Sequence, residues 1–360
     1  MQPISFEYTP ETLLSAARTG DAELAGRCLE SGIDVNFQDE SGFTALLLAA
    51  LNGYPQVVRL LLRHGAAVDM RGTPDAGDVW DVSQDGYDAQ EPPCQLLDYG
   101  VEFEPGTWFT PLMLAAWGER ADCVRVLLAH GADPNTQDDN GMTALMHAAR
   151  GNFADIVGEL IAGGADVTLR DGSGRDALFC AVEQGFSRAA AALLEHGADA
   201  DTRNGDGETA LMEAVRYNDK ETVRLLLEHG ADPEFRSGDK PALALAAEKN
   251  FVAVVELLLD HDADPDAEDS EGRTALMHGV MGNSADAVRV LLEHGADPGS
   301  GDWDRNALML AAEKNRLEIA KLLLGAGARP DAWAGYDTEL MLAAENNHLE
   351  MMQLLLDAGA

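Results

Sequence analysis

Basic residues are scarce in this chain. Its 360 residues include 25 Lys and Arg against 63 Asp and Glu, a formal net charge of −38. Phosphate binding needs clustered Lys and Arg, so no nucleic acid and no anionic membrane is expected as a partner. If the charge serves binding, the partner is a basic protein; otherwise it serves solubility or a salty cytoplasm. Long apolar runs are missing too, and none reaches the ~18 residues of a membrane helix. The start, Met1-Gln-Pro-Ile-Ser-Phe-Glu, has neither the basic beginning nor the apolar core of a signal peptide, so a cytoplasmic location is expected. The four cysteines, Cys28, Cys94, Cys123 and Cys180, lack CxxC or CxC spacing and read as reduced packing residues, not as a disulfide frame or zinc site. GxGxxG, GxxxxGK and GxSxG are absent, and no nucleophile is paired with a base. No catalytic, cofactor-binding or metal-binding residue is assigned, and the chain is not expected to be an enzyme.

What the chain has in quantity is repetition. The block Ala-Leu-Met-His-Ala-Ala at 144–149 has relatives beginning at Glu11, Thr44, Thr110, Thr143, Asp176, Thr209, Pro241, Thr274, Asn306 and Thr338. Successive starts differ by 32 or 33 residues, with one gap of 66, or two periods. Within a unit, Thr143 is placed to cap a helix, as Asp176 and Asn306 are in theirs. Leu145, Met146, Ala148 and Ala149 then form an apolar helical face. The helix ends at a column of Gly20, Gly53, Asn152, Gly185, Asn218, Asn250, Asn283, Asn315 and Asn347, the residues that enter left-handed backbone most easily. Glu119 alone breaks that column. A second helix carries Ile156, Val157, Leu160 and Ile161 and closes on glycine, followed by a polar turn.

These features resemble the ankyrin repeat family over about residues 9–360. Ten copies are in phase, though Thr-Ala-Leu-Met mostly replaces the family's Thr-Pro-Leu-His and only Thr110-Pro111 keeps the proline. The resemblance implies an all-α repeat solenoid of helix-turn-helix units with hairpin loops. Such units bury their apolar faces by stacking on neighbours. The whole chain reads as one array: an extension at 1–8, repeats 1–2 at 9–69, an irregular segment at 70–107, and repeats 4–11 at 108–360. The irregular segment reads as a degenerate third repeat, because Gln95-Leu-Leu-Asp-Tyr-Gly100 resembles a second-helix ending; the alternative is a plain insertion.

Residues 72–119 contain no Lys or Arg, ten acids, and seven of the 21 aromatics. Disordered linkers are aromatic-poor, so this is not a generic acidic loop. In the family, hairpin tips and the concave side of the first helix hold the partner. Carried over, those positions are the residue before the Thr column and the residue after the Ala-Ala pair. Both turn apolar beside the irregular stretch: Phe43, Leu51, Phe109, Trp117 and Met142, with Trp108 adjacent. The expectation is an exposed aromatic patch ringed by Asp75, Asp78, Asp81, Asp85, Asp88 and Glu91. The alternative is that the irregular loop folds back and buries these side chains.

The histidine column (His64, His130, His196, His229, His261 and His294) places one ring per repeat and reads as structural, as do His147 and His278. Asp264 to Gly272 is faintly like a calcium loop with its glycine out of register. The last repeat keeps Leu349, Met351, Met352, Leu354, Leu355 and Leu356 without a polar cap. The functional expectation is a non-catalytic protein–protein interaction scaffold. Its alternatives are an inhibitor or immunity-type protein neutralising a basic effector enzyme, and a structural or regulatory subunit docked, or self-associating, through the C-terminal repeat.

Overall fold

A computed structural model of the chain describes residues 8–40, 42–72, 107–235, 240–301, 305–330 and 338–360. The described residues form twenty short helices and no strand, divided between two compact units, Met1–Asp199 and Ala200–Ala360. In the first unit the helix pairs are α1 (Pro10–Thr19) and α2 (Ala22–Glu30), α3 (Ala45–Asn52) and α4 (Pro55–Arg63), α5 (Pro111–Trp117) and α6 (Ala121–Ala129), α7 (Ala144–Arg150) and α8 (Ala154–Ala162), α9 (Ala177–Glu183) and α10 (Ser187–Glu195). The second unit holds α11 (Ala210–Arg216) and α12 (Lys220–Glu228), α13 (Ala242–Glu248) and α14 (Val252–Asp260), α15 (Ala275–Gly282) and α16 (Ala285–Glu293), α17 (Ala307–Glu313) and α18 (Leu317–Gly325), α19 (Glu339–Glu345) and α20 (Leu349–Asp357).

Helices of seven to ten residues are marginal alone, so stacking must stabilise them. The first helix of a pair is sandwiched between neighbours and apolar all round: every residue of α3 from Ala45 to Leu51 is buried. The second helix buries one stripe, Val57, Val58 and Leu61 in α4. The caps follow the sequence expectation. Thr44, Thr110, Thr143 and Asp176 accept the backbone N–H three residues on, as Thr209, Asn306 and Thr338 do in the second unit, all at 2.8–3.3 Å. The first repeat differs: its cap is Thr9, and Glu11 lies within the first turn of α1. The asparagine column is left-handed throughout, with φ between 54° and 60°, and Glu119 is forced to φ 59° in the same place. Second helices end in a Schellman pattern: the Ala66, Ala132, Ala165 and Ala198 N–H groups reach back five residues across a left-handed glycine.

α3 packs directly on α5 and α4 on α6, as adjacent pairs do elsewhere in the unit. Arg120 Nε donates to the Leu51 carbonyl (3.2 Å), the Asp133 N–H donates to Asp69 (3.2 Å), and Gly72 bridges Phe109. The pairs α3–α4 and α5–α6 are thus neighbours; residues 73–106, where the sequence places the degenerate repeat or insertion, lie outside the described residues.

Candidate protein-binding site

The residue before each first helix and the residue eight positions later face one another across the hairpin base. In the first unit Arg175 Nη1 bonds Glu183 (2.7 Å), and Arg150 Nη1 reaches the Met142 sulfur (3.5 Å). Apolar side chains at these positions fold into the stack. Phe43 is 2% exposed, Leu51 6%, Phe109 4%, Trp117 6% and Met142 5%. The exposed aromatic patch expected from sequence is thus corrected for these five residues. Direct stacking of α3 on α5 puts their columns side by side, and apolar groups there gain more from burial than from water. Phe109 lies 5.7 Å from the His147 ring. Trp108 alone stays half-exposed, with the Arg71 guanidinium 3.6 Å over its ring and its indole N–H donated to Asp139. Asp75, Asp78, Asp81, Asp85, Asp88 and Glu91 lie outside the described residues.

Three hairpins are pinned by a buried aspartate that the sequence reading passed over. Asp138, Asp171 and Asp269 accept backbone N–H groups two and four residues on, at 2.8–2.9 Å. Their second oxygen meets a cationic or imidazole group of the same repeat. Asp138 bonds His147 Nε2 (3.0 Å), Asp171 takes a bidentate Arg175 (2.9 and 2.7 Å), and Asp269 takes Arg273 Nε and His278 Nε2 (both 2.8 Å). The signal was present as a 33-residue recurrence of Asp-x-x-Gly at 138–141 and 171–174, echoed at 269–272.

In the second unit the facing columns form charge pairs: Glu208 with Arg216, and in the reverse sense Lys240 with Glu248 and Arg305 with Glu313 (3.5 Å). The fourth pair is broken, because Met281 stands opposite Arg273. Beside it opens a hollow of about 250 Å³ between the hairpin bases and the first helices α15 and α17. Its wall is apolar at Met277, Met281 and Leu310 and cationic at Arg273, Arg305 and Lys314, with Glu271 at the edge.

His278 is wholly buried between Asp269 and Glu248, whose carboxylate stands 3.5 Å from Nδ1. A carboxylate at 2.8 Å requires the proton on Nε2 of the neutral ring. Burial holds the imidazole below its ordinary pKa against the pull of Asp269. Burial acts to raise Asp269, but the Arg273 N–H, His278 and the Arg273 side chain together hold its carboxyl well below the usual range. The six histidines of the repeat column (His64, His130, His196, His229, His261 and His294) each set Nδ1 2.7–2.9 Å from the carbonyl four residues back, closing a second helix. Burial pushes the Cys123 and Cys180 thiols up to about 12. Among the described residues no His, Cys, Asp and Glu group is placed to hold a metal, and no helix is long and apolar enough to cross a membrane.

Comparison with known proteins agrees with this architecture. A family model of three ankyrin repeat copies matches residues 93–171, 151–237, 234–302 and 300–360, and a second ankyrin model matches 13–62. The chain is 37% identical over 123 residues to the ankyrin repeat domain-containing protein SAT10 of Stachybotrys chartarum, spanning 34% of this chain and 6% of that protein. It is 32% identical over 142 residues to mouse ankyrin repeat and SOCS box protein 6, spanning 39% of this chain and 27% of that one. The match thus spans a small part of these relatives. The crystal structure of the human ASB11 ankyrin repeat domain superposes with a TM-score of 0.52 at 28% identity, covering 61% of this chain and 99% of that domain. Capped helix pairs in register, hairpins pinned at their bases and these matches lead to one assignment: the chain belongs to the ankyrin repeat family.

Proposed function

We propose that the chain is a non-catalytic scaffold that holds a basic protein on its hairpin tips and first-helix faces. Ankyrin repeats are in general protein-interaction modules, and the arrangement here supports that role. Constant core columns carry facing surface pairs that change from repeat to repeat: Arg with Glu at 175 and 183, the reverse at 208 and 216, Arg with Met at 273 and 281. A variable face on a constant frame suits recognition of one partner. The net charge of −38 supports a basic one, through steered association. Near the irregular segment the accessible anchor is Trp108, between Arg71 and Asp139, with Phe43, Leu51, Phe109, Trp117 and Met142 shaping the surface from beneath.

The test is capture from a native lysate on the immobilised chain, at low and high salt, beside an unrelated protein of similar charge. A basic protein held only by this chain, released as salt screens the charges and weakened by Trp108→Ala, is the expected result. Retention of nothing specific, or of one protein unaffected by salt, overturns the reading. A second reading is favoured by the last repeat, where Met341, Leu349 and Leu356 are 52%, 69% and 51% exposed: the chain is a structural or regulatory subunit that docks on its complex, or on a second copy, through α19 and α20. Sedimentation of the chain against a variant with Leu349→Gln and Leu356→Gln separates the two readings.

A further inference from the structure

Three cations gathered around three apolar side chains are unusual on a chain with so few bases. In the facing columns, the residue after the Ala-Ala pair or its equivalent is an acid at Glu183, Glu248 and Glu313, each paired with the base eight residues before it. At Met281 that acid is missing. Arg273 instead turns to its own hairpin, bonding Asp269 (2.8 Å) and Glu271 (2.7 Å). On the next repeat Arg305 is 60% exposed and stands 3.5 Å from Glu313, too long for a strong charge-assisted bond. Lys314 is exposed and has no ion-pair partner among the described residues. Between them lie the half-buried Met281 and the buried Met277 and Leu310, polarisable and apolar surface that moulds to an inserted side chain. The hollow, about 250 Å³, is large enough for two side chains of ordinary size.

We propose that this hollow binds a short acidic–apolar element of the partner: a Glu or Asp carboxylate received by Arg305 and Lys314, next to an aliphatic side chain seated on Met277, Met281 and Leu310. The partner's carboxylate occupies the place of the acid that the column lacks at Met281. The proposal rests on the scaffold reading and refines it: a partner basic as a whole carries one acidic–apolar point that fixes its register on the second unit, since a carboxylate placed elsewhere along this acidic face is repelled.

The experiment uses the full chain labelled with ¹³C at the methionine methyl groups, titrated with the capped peptide acetyl-Ser-Leu-Glu-Leu-Ser-amide and with its Gln analogue. Saturable shifts of the Met277 and Met281 methyl signals are expected with the Glu peptide, and binding at least about tenfold weaker with the Gln peptide. Met281→Glu, which supplies the missing acid within the chain, and Lys314→Glu each weaken Glu-peptide binding by a similar factor. Lys321→Glu, which alters the same net charge on the outer helix, leaves it unchanged, and circular dichroism confirms that all variants are folded. Equal binding of both peptides, loss of binding in Lys321→Glu, or no saturable shift overturns the proposal. The protein captured under the preceding test provides a second arm: its undiminished retention by Met281→Glu sinks this inference and leaves the scaffold reading standing, whereas failure of capture alongside a positive peptide titration does the reverse.

Discussion

Glu119 occupies left-handed backbone (φ 59°) at a column otherwise filled by Asn or Gly, with its side chain in solvent. A non-glycine residue there is strained by roughly 1–2 kcal/mol, less for Asn. Asn offers more than tolerance. In two other repeats its Oδ1 accepts the third backbone N–H of the next second helix: Asn152 from Ala189 and Asn250 from Ala287, both at 3.1 Å. The matching donor for position 119 is Ile156, in the first turn of α8, whose N-cap Phe153 provides no side-chain acceptor. Glu119→Asn therefore relieves part of the strain and adds a hydrogen bond worth about 1 kcal/mol, a gain of about 1–2 kcal/mol in all. Glu119→Gly relieves the strain but gives back about 0.5–1 kcal/mol through a freer unfolded chain, so its net effect is near zero. For a unit of this size the Asn variant raises Tm by about 3–6 °C, followed by circular dichroism at the helical signal. If Asn stabilises no more than Gly, the inter-repeat bond is not formed and the reasoning fails.

Phe109→Ala should destabilise the chain by about 3–5 kcal/mol in urea unfolding, because the ring is core and not contact surface; a loss of partner binding without loss of stability would contradict its burial. Acid should weaken the second unit in two steps. His278 and Asp269 both have folded pKa values below their unfolded ones, so their stability is present above ~6.5 and ~3.9 respectively and is lost as pH falls towards the folded values. His278→Leu, matching Leu245 and Leu310 of the same column, should flatten the urea midpoint between pH 7 and about 5; an unchanged slope would assign the loss to other groups. Cys28, Cys123 and Cys180 are buried with raised pKa values, so thiol reagents at mild alkaline pH should label them only after urea is added. Labelling of Cys123 or Cys180 in the native chain would show that the stack opens there.

Much of the fold was legible because each repeat is a local object. Caps such as Thr143 and Asp176, the left-handed Asn152 column and the stripe Ile156–Val157–Leu160 all act within some 25 residues of chain, and sequence spacing alone identifies them. The charged pairs at spacing eight were equally visible, although their meeting across the hairpin base was not inferred. Phase along the chain says nothing about which helices touch across the gap of 66 residues; only packing shows α5 lying on α3. Tertiary structure likewise decided that Phe43, Phe109 and Trp117 point inward, because identical columns expose a charged group and bury an apolar one according to what the neighbouring repeat offers. It decided too that Met281, an unremarkable substitution in sequence, opens a cationic hollow: the position of Lys314 and Arg305 across it depends on contact between repeats, which no residue specifies alone.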